Sequence, residues 1–200
     1  MSKEIRLGLD CDGVLADFNT AFVSLARTRY PLLKCPDPSA EWPTKWDYLD
    51  DYLSKQQLRA LWNEIVKENE YFWEDLPEYE WTNLLLLRAQ ELSDKLYYIT
   101  SRSGPRVQLQ TELWLSEFNM SPLTGGVIPV AKPEDKLPLV NALRLTHFVD
   151  DKPETVEGAF NTCLNTNIAI WDQPWNRHCQ IIGVTRLKSV EDFETWLLKA

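Results

Sequence analysis

Residues 8–18 read Gly-Leu-Asp-Cys-Asp-Gly-Val-Leu-Ala-Asp-Phe and place acidic side chains where an apolar run ends. The run that leads into them, residues 5–9 (IRLGL), is apolar enough to predict a buried strand. Asp10 and Asp12 follow this strand at once. Carboxylates at the end of a buried strand are costly unless a cation or a reaction makes use of them. The segment therefore predicts a functional site at the end of the first strand.

The rest of the chain alternates short apolar strands with longer helical stretches. Further strands are expected at residues 95–100, 127–130, 147–149 and 167–171, with the last of these as the final strand. This alternation predicts an α/β fold, a Rossmann-like parallel sheet flanked by helices.

A long stretch without strands separates the first predicted strand from the second. It is too long for an ordinary loop, so we expect a small helical cap formed by residues 18–75. The core domain would then consist of residues 1–17 and 76–200. Ser54 is expected to cap a helix inside the cap segment, because serine side chains accept hydrogen bonds from the first turn of a helix.

Side chains that can carry chemistry follow four of the predicted strands. In an open parallel sheet, sites gather at the carboxyl ends of the strands. An acid after a single strand is often only a helix cap, but four such strand ends in one chain are hard to explain by capping. The groups are Asp10 and Asp12, Thr100-Ser101-Arg102, Lys132 or Lys136, and Asp150-Asp151.

Three motifs, in the same order, resemble those of the haloacid dehalogenase (HAD) superfamily. DCDGVLAD (residues 10–17) is similar to its first motif, DxDGxxxD. YYITSR (97–102) resembles the second motif, a hydrophobic strand that ends in Thr or Ser, and FVDDKPE (148–154) resembles the fourth, which ends in paired acids. The resemblance implies a HAD-like fold with a cap inserted after the first strand.

Within the superfamily the chain most resembles the 5'(3')-deoxyribonucleotidases and their bacterial and phage relatives. The stretches that carry this resemblance are LDCDGVLADF, YFWEDLPE, ITS and VDDK, together with WDQPWNR (171–177), which is similar to a segment of bacterial relatives. The resemblance implies a Mg²⁺-dependent hydrolase, a 5'-nucleotidase that dephosphorylates (deoxy)ribonucleoside 5'-monophosphates.

The resemblance also implies roles for the acids, and these roles match the needs of phosphate-ester cleavage. Asp10 would attack phosphorus and become an aspartyl phosphate. Asp12 would protonate the leaving nucleoside oxygen and then activate water. Mg²⁺ would be held by Asp10, the backbone carbonyl of Asp12 and the paired acids, with Asp151 favoured over Asp150 as the direct ligand. Gly13 would allow a tight turn around the phosphoryl group.

The remaining strand-end groups would bind the phosphoryl group. Thr100 and the Ser101 backbone would donate hydrogen bonds to it, and a lysine would balance its charge. Lys136 is the preferred lysine because it heads a helix that runs towards the fourth predicted strand, and Lys132 is the alternative. Arg102 is a further candidate for contact with substrate.

Aromatic side chains are dense between residues 42 and 81. The plain interpretation of most of them is the core of the cap. Some match positions that line the base pocket of deoxyribonucleotidases, where stacked rings bind a flat base. The candidates for this pocket are Phe18, Trp46, Phe72 and Trp73. Residues 66–67 (Val-Lys) stand where the animal enzymes often have an aromatic residue, a departure that leaves base and sugar preference open.

Charge and composition narrow the choice of partners. A formal net charge of -9 disfavours nonspecific binding to nucleic acid. No apolar stretch has the length of a membrane span or a signal peptide, so we expect a cytoplasmic protein that binds no membrane. The cysteines show no metal-ligand spacing and are expected to be reduced, and Cys11 is not expected to be a nucleophile between two acids. The expected partner is a small-molecule nucleotide, and a homodimer is left open.

Several alternatives stay open at this stage. The same chemistry could act on another small phosphate ester, such as a sugar phosphate. A signalling receiver domain uses similar groups, but its paired acids come first in the chain and here they come last. A catalytically silent nucleotide-binding protein has little support when every catalytic group has a candidate. Asn176 and Arg177 could close over the site or tie down the C-terminal loop, and the sequence favours neither.

Overall fold

The structure is a computed structural model that describes residues 4–68, 71–118 and 125–199. Its strands are β1 (Arg6–Leu9), β2 (Lys95–Thr100), β3 (Gly126–Pro129), β4 (His147–Asp150), β5 (Asn167–Trp171) and β6 (Thr185–Leu187). All pair in parallel, in the order β3-β2-β1-β4-β5-β6. The predicted parallel sheet is confirmed, and β1 lies in the middle of it.

The described residues form seven α-helices. They are α1 (Phe18–Arg29), α2 (Lys55–Asn63), α3 (Thr82–Leu92), α4 (Val107–Ser116), α5 (Lys136–Ala142), α6 (Pro153–Thr162) and α7 (Val190–Leu197). Short helical turns occur at Tyr48–Asp51, Glu64–Glu68 and Pro133–Asp135. In the part of the chain that the structure describes, none of the helices has the length and apolar character needed to cross a bilayer.

The central strands are covered on both faces, which explains why they read as continuous apolar runs. Leu7 and Leu9 of β1 are fully buried in the larger of two hydrophobic clusters, which also contains Phe18 and Phe22 of α1. Phe148 of β4 belongs to the second cluster. Because β1 pairs with β2 on one side and β4 on the other, the ends of these three strands lie side by side.

The prediction that residues 167–171 form the final strand is wrong, because β6 follows them and pairs with β5. β6 is only three residues long, lies at the sheet edge, and buries Leu187 alone. One buried side chain gives no alternating pattern, so the sequence carries little signal for this strand.

The segment predicted as the cap contains α1 and α2, and every strand of the described residues lies outside it. Asp17 caps α1 by accepting a hydrogen bond from the backbone N–H of Thr20. Ser54 caps α2 and forms a capping box with Gln57, as the sequence predicts. The division into a core of residues 1–17 and 76–200 and a cap of residues 18–75 stays a prediction.

Candidate active site

The ends of β1 and β4 bring three carboxylates into one buried cluster. The backbone N–H of Asp10 donates to the carbonyl of Val149 at 3.0 Å, which fixes the end of β1 beside β4. One oxygen from each of Asp10, Asp150 and Asp151 lies within 4.8 Å of the others, and all three residues are buried. The strand-end groups predicted from the two motifs therefore meet in space.

Lys136 is the cation of this cluster. It begins α5, its side chain is fully buried, and its Nζ lies 2.6 Å from Asp10 Oδ2 and 2.8 Å from Asp150 Oδ2. Burial lowers the pKa of Lys136, but the attraction of Asp10 and Asp150 outweighs burial and raises that pKa above its ordinary value. Lys136 is therefore charged, and it offsets one of the three carboxylates.

Asp151 has the least compensated charge of the three. Its Oδ2 accepts a hydrogen bond from Trp175 Nε1 at 2.7 Å. Its Oδ1 is buried and has no hydrogen-bond partner in the described part of the chain. Burial, together with repulsion from Asp150 and Asp10, raises the pKa of Asp151 well above the ordinary value of a carboxyl group.

Gly13 allows the first loop to approach Asp151. Its φ is +83°, in the region that favours glycine. A Cβ at this position would lie 2.5 Å from Asp151 Oδ2. The glycine of the first motif is thus required both by its backbone conformation and by the space available.

These carboxylates fit a divalent cation. Magnesium prefers oxygen ligands and carboxylates above all. Both oxygens of Asp10 and of Asp150 accept hydrogen bonds or ion pairs, from Cys11, Lys152 and Lys136. Asp151 Oδ1, by contrast, is a buried acceptor without a hydrogen-bond partner among residues 4–68, 71–118 and 125–199. The donor set and its excess negative charge therefore match a site for such an ion, with Asp10, Asp150 and Asp151 as the residues that would hold it.

Asp12 lies beside this cluster but is paired with Arg102. Arg102 Nη2 donates to Asp12 Oδ1 at 2.8 Å, and Nε lies 3.1 Å from both carboxylate oxygens. The guanidinium has no exposed surface, donates to Thr111 Oγ1, and lies over the rings of Trp73 and Trp114. Burial lowers the pKa of Arg102, but Asp12, Cys11 and Asp10 together raise it by more. Arg102 therefore holds the Asp12 carboxyl group in a fixed orientation.

A cavity of about 180 Å³ opens over Asp10 and Asp12. Five of the candidate substrate-binding residues line this cavity: Phe18, Trp46, Trp73, Ser101 and Arg102. The Phe18 ring lies nearly parallel to the rings of Trp46 and Trp73, at interplanar angles of 18° and 21°. One wall of the cavity is thus aromatic, and the floor is acidic.

Three other candidates lie outside the cavity wall. Thr100 is buried beneath it, and its Oγ1 accepts a hydrogen bond from the backbone N–H of Arg102 at 3.2 Å. Phe72 is buried and packs edge-on against Phe18 and Trp73. Lys132 is exposed, whereas Lys136 is in the cluster. The structure brings the preferred lysine, not its alternative, to Asp10.

Three cavity residues were missed by the sequence analysis: Trp62, Lys152 and Pro133. Trp62 of α2 lines the cavity, with its ring at 14° to that of Phe18, although the side chain is 39% exposed. Lys152 also lines the cavity, and its Nζ lies 4.2 Å from the centre of the Trp46 ring. Two sequence features could have indicated Trp62 and Lys152: a tryptophan in the helix that Ser54 is expected to cap, and a lysine directly after the paired acids.

The loop at residues 171–177 ties the C-terminal part of the chain to the site. Asn176 Nδ2 donates to the carbonyls of Asp151 and Trp171, both at 2.8 Å. Gln173 Nε2 donates to the carbonyl of Gly13 at 2.6 Å. Arg177 is exposed and bonds to Asp172 and to the carbonyl of Ala40. Of the two interpretations of Asn176, the structure shows the tying role.

Cys11 lies between the two acids and is fully buried. Burial above all, with Asp12 and Asp10 nearby, raises the pKa of its thiol to about 12. The thiol is therefore neutral at physiological pH, which agrees with the expectation that it is not a nucleophile.

Acids at the ends of β1 and β4, a lysine at the start of α5, and a helical segment inserted after β1 define a HAD-like α/β fold. The solved structures agree. A predicted phosphatase from Clostridium acetobutylicum superposes with a TM-score of 0.65 at 13% identity and covers 100% of both chains. A HAD family hydrolase from Deinococcus radiodurans R1, determined with bound phosphate and sodium, gives a TM-score of 0.59 at 12% identity over 98% of this chain and 96% of that one.

Sequence comparison gives a finer likeness. The "Putative nucleotidase" of Oceanobacillus iheyensis is 30% identical over 126 residues, which are 63% of this chain and 64% of that protein. The match thus spans less than two thirds of this relative's length. No protein-family model matches the sequence.

Proposed function

We propose that the protein is a Mg²⁺-dependent phosphomonoesterase that dephosphorylates (deoxy)ribonucleoside 5'-monophosphates through an aspartyl phosphate. The observation that carries this proposal is the arrangement of the site. A buried cluster of three carboxylates and one lysine meets, at Asp10, a cavity that is walled by aromatic rings. The likeness to a protein named as a nucleotidase and the fold shared with a phosphatase support it.

Asp10 is the nucleophile in this proposal. One of its carboxylate oxygens forms a bond to phosphorus while the bond between phosphorus and the nucleoside oxygen breaks. Asp12 gives its proton to that leaving oxygen and later takes a proton from the water that hydrolyses the aspartyl phosphate. The hydrogen bonds from Arg102 hold the Asp12 carboxyl group beside Asp10 in the free protein. To act as the acid of the first step, Asp12 has to take up a proton and turn from Arg102 towards the leaving oxygen.

The approach of a phosphate dianion to Asp10 needs positive charge. Mg²⁺ held by Asp10, Asp150 and Asp151 would supply part of it when bound, by neutralising charge between nucleophile and phosphate. Lys136 supplies a fixed charge beside Asp10, at 2.6 Å from Oδ2. Ser101 faces the cavity and offers polar contacts to the phosphoryl oxygens.

The aromatic wall is suited to a flat ligand. Phe18, Trp46, Trp62 and Trp73 present rings at the cavity, and three of them lie within about 20° of the Phe18 plane. Stacking on such rings contributes about 1–3 kcal/mol per base and tolerates any base. This wall supports a nucleoside monophosphate over a sugar phosphate, whose ring has no flat face.

The proposal is tested by phosphate release from a panel of nucleoside monophosphates, sugar phosphates and simple phosphate esters, with Mg²⁺ and with EDTA. We expect release from nucleoside 5'-monophosphates that EDTA abolishes. Activity confined to sugar phosphates would keep the mechanism and remove the nucleotidase assignment. No Mg²⁺-dependent release from any ester would overturn the proposal.

A matched pair of variants tests the nucleophile. Asp10→Asn should abolish turnover without unfolding the protein, because the side chain keeps its shape but loses its charge. Asp135→Asn makes the same chemical change at an exposed residue next to Lys136 and should leave the rate unchanged. A near-normal rate for Asp10→Asn would refute its role.

A further inference from the structure

Trp175 connects the C-terminal loop to the acid cluster. It lies in the loop after β5, is 5% exposed, and donates its indole N–H to Asp151 Oδ2 at 2.7 Å. Its ring also packs against Gly13, where a Cβ would lie 3.0 Å from Trp175 Cζ2, and edge-on against Trp46. The indole is therefore held from several sides, and its N–H points at a carboxylate rather than at solvent.

This hydrogen bond distinguishes the two oxygens of Asp151. Oδ2 is engaged by Trp175, whereas Oδ1 is buried and has no partner within the described residues. The backbone of Asp151 is fixed at the same time, because Asn176 donates to its carbonyl. A carboxylate that is held through one oxygen and its own backbone has little freedom to rotate. Oδ1 therefore has one defined orientation within the cluster.

The geometry points to Trp175 as a positioning residue that aims Asp151 Oδ1 at a divalent cation and thereby sets the affinity for that cation. Groups that hydrogen-bond to metal ligands fix ligand orientation, and their loss typically weakens metal binding by about 10–100-fold. Trp175 touches neither the cation nor the substrate. The inference rests on the metal site of the proposed function, but it is tested by binding rather than by turnover.

The test measures the dissociation constants of Mn²⁺ and Mg²⁺ by electron paramagnetic resonance and calorimetry, without substrate and at one fixed pH. Trp175→Phe keeps a buried ring but removes the N–H, so we expect both constants to rise by about 10–100-fold. Trp81→Phe is the matched control, because its indole donates to the carbonyl of Val14 at 2.9 Å and not to a carboxylate. It should lower thermal stability and leave both constants within about twofold.

Turnover provides a second readout that a merely structural role would not change. If Trp175 acts through the cation, Trp175→Phe should need more Mg²⁺ for half-maximal rate, by the same factor as its dissociation constant, while the rate at saturating Mg²⁺ stays near that of the unmodified protein. If the phenylalanine variant does not fold, Trp175→Leu also removes the N–H, introduces no other donor, and should show the same weakening.

The outcomes separate this inference from the proposed function. A folded Trp175→Phe that binds Mn²⁺ within about twofold of the unmodified protein overturns the positioning role alone. Equal losses of affinity in Trp175→Phe and Trp81→Phe also overturn it, because a general loosening would then explain the effect. Failure of the unmodified protein to bind either ion overturns both this inference and the metal site of the proposed function.

Discussion

Replacing Lys136 by methionine should strongly destabilise the metal-free protein, and more so at high pH. Lys136 is fully buried between Asp10 and Asp150, at 2.6 and 2.8 Å. Methionine fills similar space but leaves both carboxylates without their cation. Removing one partner of a buried ion pair typically costs about 3–5 kcal/mol, because the other charge stays buried and unpaired.

The loss of stability in Lys136→Met can be estimated from the carboxylates of Asp10 and Asp150, which lose their partner. A charge pair about 2.7 Å apart attracts by about 6 kcal/mol at an effective dielectric of about 20, and the loss of hydration on burial opposes that attraction. An unpaired carboxylate escapes the penalty by taking up a proton. With an ordinary pKa of about 4, this costs about 5 kcal/mol at pH 8 and about 1.4 kcal/mol at pH 5. We therefore expect a loss of about 4 kcal/mol at pH 8 and about 1–2 kcal/mol at pH 5.

The pH dependence arises from the carboxylates and not from the lysine. A lysine whose pKa is raised in the folded state contributes stability that is complete below its unfolded pKa and is lost only as pH rises through the folded value. For Lys136 both values lie above the range from pH 5 to pH 8, because its pKa is raised. Its contribution to the unmodified protein is therefore constant there. In the variant, the pKa values of Asp150 and Asp151, which burial already raises, rise further, so the free energy of unfolding falls as pH increases.

The assay is urea unfolding at pH 5 and at pH 8 in the presence of EDTA. Lys132→Met removes an exposed lysine that lies outside the acid cluster and should change the free energy of unfolding by no more than about 0.5 kcal/mol. Lys136→Met combined with Asp150→Asn should recover much of the loss, since one unpaired charge is then absent. A loss below about 1 kcal/mol at pH 8, or the same loss at both pH values, would refute this account of the cluster.

Three further results are expected from other parts of the site. Gly13→Ala should lose about 1–3 kcal/mol of stability in urea unfolding, because alanine is strained at a φ of +83° and its Cβ would meet Asp151; an unchanged midpoint would contradict the required approach. In the native protein at pH 8, a thiol reagent should modify the half-buried Cys179 first. Cys11, whose pKa is about 12, and the other two buried cysteines should react only on unfolding. Peptide mapping identifies the labelled cysteine, and early labelling of Cys11 would contradict its burial. Trp62→Ala should raise the KM for a nucleoside monophosphate about tenfold, because stacking on the base is lost. The KM for a small alkyl phosphate, which has no base, should stay unchanged. An equal rise of KM for both esters would argue against a base-stacking role.

The acidic floor of the candidate site could be predicted from sequence because the carboxyl ends of neighbouring parallel strands lie at the same edge of the sheet. Asp10 and Asp150 each end a buried strand, and the pairing of β1 with β4 then determines that they are neighbours. The choice between Lys132 and Lys136 depended on a helix start. Lys136 is the first residue of α5 and is buried, whereas Lys132 precedes the turn that leads into α5 and is exposed.

The wall and the supports of the site could not be predicted in the same way. Trp62 is partly exposed on α2, and only the packing of α2 against α1 brings it beside Phe18. Gln173 and Trp175 lie in an irregular loop, where no periodicity indicates the direction of a side chain. Their contacts with Gly13 and Asp151 cross about 160 and 24 positions of the chain, respectively. Such contacts depend on tertiary packing, on which local patterns carry no information.

Stability and the proposed function oppose each other within this cluster. Three buried carboxyl groups face a buried lysine, so ionising all three in the free protein costs stability, most of all at Asp151, whose pKa is raised by burial and by Asp150 and Asp10. Replacing Asp151 by a lysine or by a neutral side chain would remove this electrostatic cost. It would also remove the carboxylate oxygen and the charge that favour a divalent cation. Trp175 and Asn176 show how the fold keeps such a group in place: neutral donors hold Asp151 through one side-chain oxygen and its backbone, without neutralising it. Under the proposed function, the buried acids that the first motif places after β1 lower the stability of the free protein and supply the charge that binds the cation and attacks phosphorus.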